Sequence, residues 1–253
     1  MSSDLRTTPT HRPPMSSMRK IALAAGVLYL ITFIASIPAL GLKGPAIDHV
    51  NFVLGPGSES SVIWASLLDV ITALAGIGTA VVRYSVGKRY SQIGAIGFVA
   101  SRVIEAGLIL VGVIGLLSLV TLGQDVTAGA ADPSSFLAAG RTLVAIHDWT
   151  FLLGPSLMAS VNALFLGSVM YRSRLVPRII PTLGLVGAPI LLASTAATMF
   201  GVYAQSSMAA GFAVLPIFLW ELSLGLWLTF KGFNPVAMPG DAAVPSDRRS
   251  LVA

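Results

Sequence analysis

Seven polar residues stand inside stretches that are otherwise apolar: Asp69, Arg102, Glu105, His147, Asp148, Asn162 and Glu221. Carboxylates, a guanidinium and an imidazole are the groups that hold ions and pass protons. In hydrocarbon each ionised one costs roughly 2.5–3.5 kcal/mol on insertion scales. They are therefore expected to face one another, or water, and not lipid. Spacing agrees with that. Arg102 and Glu105 are three residues apart, so their side chains meet on a helix surface. Ser66, Asp69, Ala73, Gly76 and Ala80 share one helical face. Asp148, Pro155 and Asn162 recur every seven residues, with Phe151 and Ala159 between them. One polar stripe per helix is what a bundle with a buried polar centre needs.

The charges do not balance by this reading. Four carboxylates face one Arg and one His, and two isolated carboxylates cannot stay ionised in a dry interior. The expectation is that Asp69, Glu105, Asp148 and Glu221 converge on one electronegative, partly hydrated cavity, opening through the loops around Glu59 and Asp132. Simpler roles exist for the same residues. Arg102–Glu105 reads as an intrahelical pair that eases insertion, Asp69 and Glu221 as packing glue, and His147–Asp148 as an interfacial pair.

The elements that must position these groups are read from length. About 20 apolar residues of helix cross a bilayer core. Ile21–Leu42, Ser61–Val82, Ile93–Leu122, Leu143–Tyr171, Ile179–Phe200 and Gly211–Phe230 all meet that requirement. Mean hydropathy is +0.82, and 11% of residues are charged, against about 25% in ordinary globular domains. The fold class is all-α: a six-helix transmembrane domain over residues 18–233. Residues 1–17 and 234–253 are polar and Pro-rich and are expected as disordered cytoplasmic tails.

Orientation follows from the placement of Lys and Arg on short connections. Thirteen fall on the side of the two tails and the second and fourth loops, and only Lys43 and Arg141 fall opposite. Both termini are therefore expected in the cytoplasm. Aromatic rings prefer the headgroup level. Trp64 and Trp149 sit near one set of span ends, and Tyr84, Tyr90, Tyr171, Trp227 and Phe230 near the other, whereas Trp220 falls mid-span. The basic balance is thus topological, and nothing indicates a nucleic-acid surface.

Ala65–Asp69, Ile77–Val82, Ala100–Ala106 with its Arg-x-x-Glu, His147–Pro155 and Tyr171–Arg178 with its Ser-Arg-x-x-Pro-Arg follow one another in order. Glu221–Leu228 and Lys231-Gly232-Phe233 come after them. Over about Met18–Pro235 this pattern resembles the bacterial six-span family called domain of unknown function 4386 (DUF4386). The chain departs from it at Ser85, where a proline is expected after Tyr84. The resemblance implies a bacterial inner-membrane, multi-pass protein and assigns no catalytic residue.

No cofactor, metal or catalytic residue is assigned. The chain has no cysteine, which excludes thiolate chemistry. One membrane His is too few for zinc, which usually takes three protein ligands, even with His49 of the first connection considered. Ser66, Ser101 and Ser160 have no partnered His at readable spacing. Pro155, Pro189 and Pro216 interrupt three consecutive spans, as in helices that line transport sites. The best reading is a small transporter-like protein whose acidic centre handles protons or a small polar or basic solute. The alternatives are an intramembrane lipid-modifying enzyme and a noncatalytic partner or sensor subunit. The expected partners are the lipid bilayer and that solute or proton.

Overall fold

The structure, a computed structural model, describes residues 16–54, 57–130 and 132–234. The predicted tails lie outside the described residues, except for Ser16, Ser17 and Asn234. Among the described residues, six helices are long and apolar enough to cross a membrane, and the protein is a multi-pass membrane protein. They are α1 (Ser17–Asp48), α2 (Ser58–Gly87), α3 (Gln92–Thr127), a fourth span in three parts, α6 (Ile179–Met199) and α7 (Met208–Phe230). The fourth span runs as α4 (Pro133–Phe151), a π-helical stretch (Leu152–Met158) and α5 (Ala159–Ser173). Among the described residues there is no strand.

Local chemistry sets several helix ends. Ser16, Ser91 and Ser207 each accept a hydrogen bond from the backbone N–H three residues on, capping α1, α3 and α7, as small hydroxyl side chains do at helix starts. Arg174 ends α5 in the left-handed region at φ 54°, and Pro177 follows. At 36 residues, α3 is about 54 Å long by helical rise. It therefore tilts within, or extends beyond, a core of about 30 Å.

The spans are neighbours in a closed ring, α1–α2–α3–fourth span–α6–α7, with α7 returning to α1. We call the side holding Ser17 and Phe230 the terminal face and the other the distal face. At the terminal face the Arg19 guanidinium donates to the carbonyl oxygens of Leu228 (2.9 Å) and Thr229 (2.7 Å) at the end of α7. A cation suits that position because unpaired carbonyls collect there. Just above, Gly26 lets the two backbones touch: a Cβ there would lie 2.5 Å from the Thr229 nitrogen. Small residues permit this kind of close approach between membrane helices.

Two apolar clusters fill the ring. One, on the terminal side, includes Tyr29, Phe98, Leu166, Met170, Trp220 and Leu228. Trp220 is a core residue, packed over Gly184, and not an interfacial anchor. The other, on the distal side, includes Val53, Val62, Leu116, Leu119 and Phe136, and the short 3-10 turn Val50–Leu54 closes over it. On α1, α2 and α3 alike, a polar layer separates the two clusters.

The helices outrun the apolar stretches of sequence. α1 continues past Leu42 to Asp48, and α2 runs past Val82 to Gly87. Lys43 and Arg83, expected on loops, are therefore helical, and each is only 2% exposed. Long basic side chains near span ends fold back along the helix. Here they fold inward.

Candidate functional site

Between the apolar clusters lies a cavity of about 350 Å³. Its polar wall carries Lys43, Asp69, Arg102, Glu105, His147 and Glu221, and its apolar wall is mainly Phe33, Ile37, Leu40, Phe151, Val214 and Phe218. Five of the seven sequence-predicted residues line it. Asn162 stands behind Glu105, and Asp148 faces elsewhere.

Four helices build the deeper half. Arg102 on α3 donates through Nη1 to Glu105 Oε2 at 3.0 Å. Through Nη2 it donates to Glu221 Oε1 on α7 at 2.5 Å and to the Tyr29 hydroxyl on α1 at 3.0 Å. Asn162 Nδ2 donates to Glu105 Oε2 at 2.5 Å, and the Ser101 hydroxyl donates to the Asn162 carbonyl oxygen. The pair expected within α3 is thus a cross-linked network of four spans. Breaking a buried pair of this kind typically costs about 3–5 kcal/mol, because one charge is left uncompensated.

The distal half is built around a residue that composition alone placed in a loop. Lys43 Nζ lies 2.6 Å from Asp69 Oδ2 and 5.1 Å from the centroid of the Phe151 ring. An ammonium thus sits between a carboxylate and an aromatic face, both of which favour a cation.

Arg83 is the second unexpected cation. Its guanidinium carbon is 4.4 Å from the Tyr29 ring centroid, and Arg102 approaches the same ring at 5.2 Å. None of its three side-chain nitrogens has a hydrogen-bond partner. With Lys43 and Arg83 counted, three buried cations meet three carboxylates, Asp69, Glu105 and Glu221. The electronegative surplus expected from sequence is narrowed: Lys43 and Arg102 pair with the three carboxylates at the cavity wall, and Arg83 adds an unpaired cation beside Tyr29.

Asp148 also departs from expectation. Its side chain is 48% exposed and lines a separate distal pocket of about 340 Å³ with Asp48, His49 and Arg141. Its neighbour His147 is buried in the main cavity, with Nδ1 3.2 Å from Asp148 Oδ1. The cause is the π-helical stretch. Its wider turn, with i→i+5 hydrogen bonds, offsets the drift of an ordinary helix. Residues spaced by four, His147, Phe151, Pro155 and Ala159, therefore all face the cavity, and the spacing of seven from Asp148 does not. Pro155 contributes by lacking the N–H that an α-helical bond would need.

The opening is also not where the loops suggested. Glu59 pairs with Gln124 on the surface, and neither Glu59 nor Asp132 lines the cavity. Among the described residues, no group of three His, Asp or Glu is placed to hold a metal ion. Ser66 Oγ is buried without a partner, and Ser160 donates to the Ser156 carbonyl, so neither is paired with a base.

No curated protein and no solved structure matches this chain. A family model does, across residues 24–232 and so across all six spans. The chain belongs to the family described as Domain of unknown function (DUF4386).

Proposed function

We propose that this protein is a small membrane carrier whose cavity takes up an ammonium-bearing solute at Asp69, with protons entering through His147. The observation that supports this most is Lys43 itself. It is an ammonium on a flexible stem, held by Asp69 and the Phe151 ring, in a cavity large enough for a small molecule. A solute ammonium that displaces it leaves the charge beside Asp69 unchanged, so exchange avoids the cost of an uncompensated ion. The same charge logic supports cytoplasmic termini. With Lys43 and Arg83 buried, twelve basic residues remain on the terminal side and one, Arg141, on the distal side.

The test is chemical rescue. Lys43→Ala should lower the melting temperature, and millimolar ethylammonium should restore it by occupying the vacated position. Ethylammonium should do nothing for Lys43→Ala/Asp69→Asn. A Lys43→Ala protein that no small primary amine stabilises would overturn the ammonium site.

A further inference from the structure

Resting on the reading of Asp69 as an ammonium site, we infer that the ligand is an amphiphile, a cationic head on an apolar chain, which enters from the bilayer between α1 and α7. The same residues line the cavity and face outward along that junction. Ile37 is 58% exposed, Leu40 55% and Val214 40%, and all three line the cavity. All three also lie within strongly apolar helices, at a depth where the surroundings are lipid. The wall between α1 and α7 is therefore incomplete on the distal side.

On the terminal side the same two helices are locked together. Gly26 meets the backbone of Thr229, Gly225 meets Tyr29, and Arg19 holds the end of α7. Between the closed and open parts, Phe33 and Phe218 meet edge to face at 5.1 Å. Pro38 on α1 and Pro216 on α7 lie at the level of the opening, where each ladder lacks a hydrogen bond. The helices thus diverge from a fixed end through two weakened points.

The two walls match the two halves of such a ligand. The charged wall lies deep, and the apolar wall runs from Phe33 and Phe218 out to the lips. A head at Asp69 would leave its chain along Ile37, Leu40 and Val214 and so in contact with acyl chains. A fully hydrated small ion would gain nothing from this wall, whereas an alkyl chain reaching it from the bilayer stays in apolar surroundings throughout and keeps its charged head at Asp69.

The experiment compares decylammonium with ethylammonium, both binding purified full-length protein in nanodiscs. The Val214→Trp variant fills one lip. It should weaken decylammonium by about tenfold, an overpacking cost of about 1.4 kcal/mol at the lip, and leave ethylammonium unchanged. Asp69→Asn should abolish both. Ile37→Trp fills the opposite lip and should repeat the result if Val214→Trp does not fold. A bimane on Ile37→Cys, in a chain with no other cysteine, should be quenched by brominated lipid and protected by decylammonium. Equal weakening of both amines, or of neither, would overturn lateral entry while leaving the ammonium site standing. Failure of both amines to bind the unmodified protein would overturn the two together.

Discussion

His147 and Asp148 are adjacent in sequence and in contact, Nδ1 to Oδ1 at 3.2 Å, yet they line two different cavities. With Asp148 acting as the acceptor, Nδ1 would carry the imidazole proton and Nε2 would be the basic nitrogen. The pair bridges a distal pocket that holds Asp48, His49 and Arg141 to a buried cavity that holds Lys43 and Asp69. The proton entry proposed above would run through exchange at this imidazole.

His147→Gln should therefore slow proton entry from the distal side by about a hundredfold, a usual scale for loss of a positioned acid–base group. A pH-sensitive dye inside proteoliposomes reads this. Asp148→Asn should have the smaller effect, because that carboxylate is already wetted. An unchanged rate for His147→Gln, with melting temperature also unchanged, removes the imidazole from the route.

For Lys43 and Asp69, each single change to an apolar residue should cost about 3–5 kcal/mol. Lys43→Met with Asp69→Leu should recover most of that loss. Denaturant titrations arranged as a double-mutant cycle give the coupling directly. Additive singles would show that the two groups do not meet in the folded protein.

Arg102 is bonded to two carboxylates, so neutralising only one is not enough. Arg102→Leu/Glu105→Leu leaves Glu221 without its cation and should stay well below wild type in melting temperature. Adding Glu221→Gln should restore stability further. A triple variant less stable than the double would mean that Glu221 draws its stabilisation elsewhere.

At the terminal face, Gly26→Val must displace the α7 backbone, because even a Cβ would overlap the Thr229 nitrogen. Overpacking of this kind costs about 1–3 kcal/mol or more. Gly41→Ala, with open space around it, should be close to neutral, and thermal melts of the two variants make the comparison.

Topology is open to cysteine labelling, since the chain has no native thiol. Asn51→Cys and Ser206→Cys should react with an impermeant maleimide added outside cells. Lys88→Cys and Arg174→Cys should react only after permeabilisation. Outside labelling at Lys88→Cys would invert the orientation drawn from the basic residues.

The six spans were legible because a bilayer demands long apolar runs, and no other element supplies them. The inward face of Asp69, Arg102, Glu105 and Glu221 was legible because lipid excludes charge. Lys43 and Arg83 were not, because hydropathy ends a span where the charge begins while the helix itself continues. Their missing charge is what made the centre look acidic. The placement of Asp148 failed for a different reason. Periodicity assumes one helical pitch, and the π-helical stretch changes pitch with only Pro155 as a local sign.

Five of the six junctions in the ring of spans are strapped by a connecting segment, and the junction between α1 and α7 is not. The opening lies at that junction, so it can widen without stretching a loop. Its hinge is the clasp of Arg19 and the Gly26 contact at the terminal face. The molecule is in this sense a collar with its clasp at one rim and its gap at the other. A covalent cross-link between the distal ends of α1 and α7 would close the gap and turn the collar into a sealed ring.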